Sequence, residues 1–232
     1  MLQSLVADAV NGGGLEVVAL LAEGLTLSLP AAARVRRVAA GHELDMLVAA
    51  STAADAVLIV APETDGILAA RVATVRAAGA HMLAPAQAFI EIASDKQATT
   101  QALAAAGVPV PAGRALAAGE PWPDAFIRPA IRKARDGTGG DGFVVVDRNA
   151  PEPPPARRAT RIEAFVAGTA VGVSCLCGPR GIHPLPPLRQ VFTTTDSQVA
   201  YAGGEPLTDQ AMATRAQALA RLAIEAVARA AG

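Results

Sequence analysis

The chain has 232 residues, a formal net charge of −1, 52% hydrophobic and 18% charged residues, which is enough apolar material for one large or two small domains and excludes global disorder. Near-neutral charge and only 3% aromatics argue against a general nucleic-acid binder, which needs clustered basic residues and rings to stack on bases. No apolar run reaches the length of a membrane span, MLQSLVADAV lacks the basic start and cleavage pattern of a signal peptide, and two cysteines cannot build a disulfide framework, so a soluble cytoplasmic protein is expected.

Basic residues are written almost entirely as arginine. There are 18 arginines, 55 alanines and only two lysines, Lys96 and Lys133. Coding bias explains the shortage of lysine but not the positions of the two that remain. Two small arginine clusters, Arg34, Arg36, Arg37 and Arg157, Arg158, Arg161, are expected as solvated faces.

The first 93 residues read as alternating strands and helices. Glu16–Ala22 and Asp55–Ala61 are compact apolar runs suited to buried parallel strands. Thr64–Ala78 is an Ala-rich helical stretch stopped by Gly79, and His81–Pro85 is a short strand or loop. This spacing predicts an α/β layer with a parallel sheet. Ser94 is the expected N-cap of a helix that stops at Gly107, and the two X-Pro units of residues 108–111 enforce an extended exit.

From Phe126 onward strands dominate, with Ile127–Ala134, Phe143–Asp147, Arg161–Val166 and Val171–Cys177 expected. Residues 151–155 (PEPPP) form a surface loop. Leu207–Ala231 returns to a long helix.

Three features carry chemistry. In the first, a strand delivers Lys133, and Gly137, Gly139, Gly140 and Gly142 follow within ten residues. Glycines let backbone N–H groups converge on an anion, and the ammonium adds a point charge. The Gly-x-Gly-x-x-Gly spacing is present, but a strand follows it rather than a helix, which rejects a dinucleotide fold. A phosphate cradle and a ligand-free hairpin both remain open from these residues alone. The second feature is Ser94-Asp95-Lys96 opening a helix that ends in Gly107-Val108-Pro109-Val110-Pro111. The third is Arg161-Ile162-Glu163-Ala164-Phe165-Val166-Ala167-Gly168, read as an edge-like strand with one carboxylate.

In this order and spacing the three resemble the ATP-grasp superfamily. The resemblance implies an α/β ATP-grasp fold, with an N-terminal parallel-sheet domain over residues 1–93. A nucleotide-binding region over 94–232 would follow, shortened at its C-terminus. Lys96 and Lys133 would contact ATP phosphates, with Gly137, Gly139, Gly140 and Gly142 folding over them. Glu163 and the backbone of Phe165 or Val166 would meet adenine.

A narrower likeness rests on Ala61-Pro62-Glu63-Thr64-Asp65-Gly66, on Leu188-Arg189-Gln190 and on Tyr201-Ala202-Gly203-Gly204-Glu205-Pro206-Leu207. These look like the tyramine–glutamate ligase group of methanofuran-type cofactor synthesis, whose relatives occur in methylofuran- and tetrahydromethanopterin-linked one-carbon metabolism. The implied reaction is ATP-dependent carboxylate–amine ligation through an acyl phosphate.

The sequence departs from the family pattern in two places. No Glu-x-Asn strand follows the last helix, so the carboxylates that hold Mg²⁺ in the family are not found, and no metal ligand is assigned. Ala170 stands where many members carry an acid for the ribose. Asp196, Glu205 and Asp209 are the remaining acids near the expected site. The partner expectation is therefore nucleotide plus small-molecule substrate, with a homo-oligomer or a second chain completing the site. A binding or assembly protein without turnover is the alternative. Cys175 and Cys177 share one strand face and read as small apolar residues.

Overall fold

The computed structural model describes residues 2–138, 143–195 and 198–232, with the side chains of Thr194, Thr195 and Gln198 left aside. The chain divides into two compact units: one runs to Ala61 and resumes over Ile67–Pro85, and the other comprises Pro62–Gly66 and Ala86–Gly232.

The first unit contains α1 (Leu2–Asn11), β1 (Val18–Ala22), β2 (Arg34–Val38), α2 (Glu43–Thr52) and α3 (Ile67–Ala77). β1 and β2 pair in parallel, with Val18 opposite Arg34 and Ala22 opposite Val38. Only Ala19 and Leu21 of β1 are buried, so this strand alternates and covers a single face. β2 was not anticipated, because RVRRV hides its two valines among exposed arginines. Arg34, Arg36 and Arg37 are indeed exposed; Arg34 pairs with Glu16 at 2.5 Å, and Arg37 donates to the carbonyl of Ala22 at 3.3 Å.

The expected strand at Asp55–Ala61 does not form. It contributes one parallel bridge, Val57 to Met82, and Leu58 is exposed. A continuous apolar run becomes a strand only when both faces are covered, and here one is not. Val72 and Val75 of α3 are buried, and α3 packs against α2.

The second unit begins with a single 3₁₀ turn at Thr64–Gly66, then α4 (Gln87–Ser94) and α5 (Lys96–Ala105). Strands follow: β3 (Gly113–Leu116), β4 (Ala130–Ala134), β5 (Val144–Val146), β6 (Thr160–Ala164), β7 (Val171–Gly172), β8 (Cys175–Gly178), β9 (Gly181–Pro184), β10 (Leu188–Thr195) and β11 (Gln198–Pro206). The helix α6 (Gln210–Ala231) closes the chain, and α4 packs against both α5 and α6.

Seven strands form one sheet in the order β3-β6-β4-β5-β11-β10-β7, while β8 and β9 form a separate hairpin. The sheet's core is Leu116, Trp122, Ala130, Val146 and Ile162, with Phe126 packed against it. Trp122 and Phe126 meet edge to face at 5.8 Å between ring centroids. Full burial of Ile162, at 0% exposure, is worth about 2–3 kcal/mol.

Several expected boundaries shift. Ser94 ends α4, and Asp95 is the N-cap of α5. A carboxylate reaches two N–H groups there and a guanidinium besides, which a hydroxyl cannot. The strand expected over Val171–Cys177 splits between β7 and β8, which lie in different sheets. The strand expected to run through Val166 ends at Ala164. β6 is also not an edge: it pairs with β3 on one side and β4 on the other.

Candidate functional site

The site is built where the start of α5 meets the end of β4. Asp95 has an extended backbone, φ −110° and ψ 111°. Its Oδ1 accepts from the N–H groups of Gln97 at 2.8 Å and Ala98 at 3.1 Å, satisfying donors the first turn leaves free. Its Oδ2 takes Arg135, Nε at 2.8 Å and Nη2 at 2.6 Å. Burial works against ionising Asp95, but the Arg135 hydrogen bond and the two backbone N–H groups together outweigh it. They hold the carboxyl below its ordinary range.

This cap makes Lys96 the first residue of α5. The Lys96 N–H donates to the carbonyl of Arg135 at 2.9 Å. Its Nζ donates to the carbonyls of Gly137 at 2.6 Å and Asp136 at 3.2 Å. The ammonium therefore sits at the entrance of the glycine-rich loop. Its pKa is lowered, first by burial and then by the positive charge of Lys133.

Gly137 has φ 76°, a conformation that glycine adopts without cost. A Cβ at this position would lie 2.7 Å from Oγ1 of Thr64. The same turn supplies a second tie. The N–H of Asp65 donates to Oδ2 of Asp136 at 2.9 Å, and Arg158 lies between the two carboxylates, 2.6 Å from Asp65 and 3.5 Å from Asp136. Asp65, Asp95, Arg135, Asp136, Arg158 and Ala159 line a cleft of about 360 Å³ at this junction.

The second lysine lies on β4. Antiparallel register places Lys133 opposite Arg161 and Ile131 opposite Glu163, so Lys133, Arg161 and Glu163 share one face. Lys133 Nζ is 2.5 Å from Glu163 Oε1, and Arg161 Nε is 3.2 Å from Oε2. Arg161 also donates to Gln97 and, at 3.4 Å, to the carbonyl of Pro111. Arg161 is 1% exposed and Glu163 7%. Arg161 thus departs from its expected place on a solvated face. Arg157 and Arg158 are exposed, and Arg158 is tied into the Asp65–Asp136 contact.

At the end of β6 the N–H of Ala164 donates to the carbonyl of Ala112 and that of Phe165 to Pro129, at 2.8 and 2.9 Å. The Phe165 N–H is therefore spent. Its side chain and that of Val166 are 43% and 67% exposed.

Lys96, Lys133, Gly137 and Glu163 are thus brought into one neighbourhood. Phe165 and Val166 lie just beyond Glu163 on the strand exit. Gly139, Gly140 and Gly142 lie outside the described residues, as does Asp196. Glu205 is paired with Arg189 across β10 and β11. Asp209 Oδ1 accepts from the N–H of Met212 at 2.9 Å and caps α6. Among the described residues no group of three or more His, Cys, Asp and Glu is arranged so that it could hold a metal ion. Cys175 has its pKa raised, first by burial and then by the neighbouring Cys177.

Sequence reasoning missed Asp65, Asp136 and Arg158, which are separated by up to 93 positions. The one signal available was the pair of acids beside glycines, Asp65-Gly66 and Asp136-Gly137.

Two families match the chain: an ATP-grasp domain over residues 93–232 and a pre ATP-grasp 3 domain over residues 16–90. A comparison with curated proteins finds no match. Among solved structures, the ADP complex of an N5-carboxyaminoimidazole ribonucleotide synthetase is 17% identical with a TM-score of 0.72, over 98% of this chain and 61% of that one. The L-amino acid ligase from Bacillus licheniformis is 16% identical with a TM-score of 0.67, over 97% and 57%. The D-alanine–D-alanine ligase from Bacillus anthracis is 16% identical with a TM-score of 0.59, over 84% and 68%. At these identities the likeness is one of fold, and the chain spans about three fifths of the synthetase. With more than half of its residues matched, the chain belongs to the ATP-grasp domain family.

Proposed function

We propose that this chain binds ATP and serves ATP-dependent ligation of a carboxylate to an amine. The observation that carries the reading is the placement of Lys96 Nζ at the entrance of the glycine-rich loop, 2.6 Å from the Gly137 carbonyl. Lys133 is near enough to lower the Lys96 pKa. Two neighbouring ammonium groups repel each other, and a polyphosphate between them removes that repulsion.

ATP supplies the γ-phosphoryl group: a carboxylate oxygen attacks it with loss of ADP. The amine then attacks the acyl carbon, and phosphate and a proton leave. In this reading Lys96 and Lys133 hold the phosphates, and Gly137, Gly139, Gly140 and Gly142 offer backbone N–H groups above them. Glu163 holds Lys133 and Arg161 in register. The carbonyl of Phe165 and the N–H of Val166 face the adenine edge. Mg²⁺ accompanies ATP in the resemblance, but the described residues gather no ligand set for it, and no step is assigned to it.

A glutamate carboxylate and a tyramine-like amine, within one-carbon cofactor synthesis in the cytoplasm, are the narrower part of the proposal. They are supported by the APETDG run, whose Thr64 and Asp65 touch the loop entrance. No described helix is long and apolar enough to cross a membrane.

Calorimetry with Mg·ATP on wild type, Lys96→Ala and Lys133→Ala tests the reading. Binding that weakens at least about tenfold in each variant is expected, since each removes a charge-assisted contact. Absent binding, or affinity indifferent to both lysines, overturns it. ADP release that requires both glutamate and tyramine supports the narrower substrates.

A further inference from the structure

A second cleft, of about 500 Å³, lies on the other part of the sheet. It is lined by Gly172 and Val173 at β7, Ser174, Leu185 and Pro186, Leu188 and Gln190 of β10, and Tyr201 of β11. Its size is that of an ordinary small-molecule site, and none of the residues that form the lysine site lines it.

Three observations define what it accepts. Among the described residues no Asp, Glu, Lys, Arg or His lines it, so a charged ligand would lose its hydration without a counter-charge from them. The side chains of Ser174, Gln190 and Tyr201 make no hydrogen bond among the described residues, leaving two hydroxyls and an amide for a ligand. One lining glycine, Gly172, and a second behind Leu188 and Tyr201, Gly204, leave no side chain beneath these groups. A Cβ on Gly172 would lie 3.3 Å from Gln190 Nε2, and one on Gly204 would lie 3.2 Å from Leu188 and 3.4 Å from the Tyr201 hydroxyl. The amide and the phenol therefore lie over bare backbone, and Tyr201 is held edge-on to Phe192 at 6.0 Å.

An apolar wall of Val173, Leu185, Pro186 and Leu188 beside an aromatic ring, with the donors and acceptors of Ser174, Gln190 and Tyr201, suits a neutral ring with polar substituents. The cleft also adjoins the strand exit, because the Gln190 N–H donates to the carbonyl of Ala170 at 2.8 Å. Ala170 lies only four positions past Val166.

We infer that this cleft holds an uncharged aromatic ring bearing hydrogen-bonding substituents, held by Gln190 and Tyr201. Assigning that ring to the second substrate rests on the ligase reading; the ring-binding property does not.

The test uses p-cresol as a neutral ring, benzoate as a charged one and adenosine as the competing source of a ring. Binding is followed by ligand-observed NMR on the full chain, with circular dichroism confirming the fold of each variant. The expected result is p-cresol binding that weakens about tenfold in Gln190→Ala and in Tyr201→Leu. Benzoate should bind more weakly, and saturating adenosine should leave p-cresol in place. A third variant, Leu188→Glu, puts a charge on the wall and should weaken p-cresol binding similarly. No binding of p-cresol, or equal binding in all folded variants, overturns the inference. Displacement by adenosine also overturns it, because the cleft would then belong to the nucleotide base. If Mg·ATP fails to bind while p-cresol binding depends on Gln190, the ligase reading falls and the ring site stands.

Discussion

Lys133 and Glu163 are joined across neighbouring strands, Nζ to Oε1 at 2.5 Å, while Arg161 takes the other oxygen at 3.2 Å. Glu163 thus bridges two cations on one face of a central strand pair. Register sets this: with Lys133 opposite Arg161, the diagonal neighbour of Lys133 is Glu163.

Removing the carboxylate strands a guanidinium that is 1% exposed. Glu163→Ala should therefore cost about 3–5 kcal/mol, the range for breaking a buried ion pair from one side. Urea unfolding measures it. The double variant Arg161→Met, Glu163→Leu should recover much of the loss, because the buried guanidinium leaves with its carboxylate and the Lys133 ammonium that remains has a side chain 25% exposed. A double variant less stable than Glu163→Ala would contradict this account.

Gly137 is held in a left-handed conformation with Thr64 against it. Gly137→Ala should cost about 1–2 kcal/mol from the backbone alone, with a further penalty from the contact at 2.7 Å. Adding Thr64→Ala should relieve the contact penalty and leave the backbone one. Thermal melts resolve the two parts, since about 1 kcal/mol moves a domain of this size by about 2–4 °C.

The lowered pKa of Lys96 fixes a sign. Burial, then the charge of Lys133, disfavours the ammonium in the folded chain. Between the lowered folded value and the ordinary unfolded one, the unfolded chain binds more protons, so stability rises with pH across that window. Urea unfolding from neutral to alkaline pH should show wild type gaining on Lys96→Met there. ATP affinity should move the opposite way, falling as pH rises through the lowered value, because the anion needs the ammonium. A flat difference between the two proteins would contradict the assignment.

Asp95 carries the same sign in the acid range: its pKa is lowered too, so stability again rises with pH across the window between the folded and unfolded values. Burial raises its pKa, but Arg135 and the N–H groups of Ala98 and Gln97 prevail and lower it. Its contribution is complete above the ordinary carboxylate value and is lost as pH falls through the folded value. Asp95→Ala should cost about 1–2 kcal/mol at neutral pH through the lost cap. Asp95→Asn keeps a capping oxygen, loses the ion pair, and should show a shallower loss between pH 5 and acid, as read from unfolding curves against pH.

Elements declared by local patterning were legible in the sequence. The lysine strand, the glycine loop and the returning strand read as a hairpin, and β4 and β5 pair accordingly. The final helix was legible from its alanine-rich composition. Arg161 was misread, because a charged residue in an Arg-rich run reads as solvated until its partners are known. Glu163 is two positions away in sequence, but Gln97 is 64 away and Pro111 is 50. The run at Asp55–Ala61 was misread for the converse reason: its composition suits a strand, but only a neighbour supplies hydrogen bonds, and it found one bridge.

Composition and order alone determined the fold family. The two surviving lysines, four glycines and a Glu-x-Phe strand exit each carry little information, but few folds require them in this succession. Tertiary structure decided which charges meet. It placed Lys96 on the Gly137 carbonyl, set Asp65 against Asp136 through Arg158, and left the cleft at Gln190 without charge. The first two of these outcomes depend on register and loop closure, which act between residues 22 to 93 positions apart. Local preference extends over only a few residues, so no pattern along the chain specifies them.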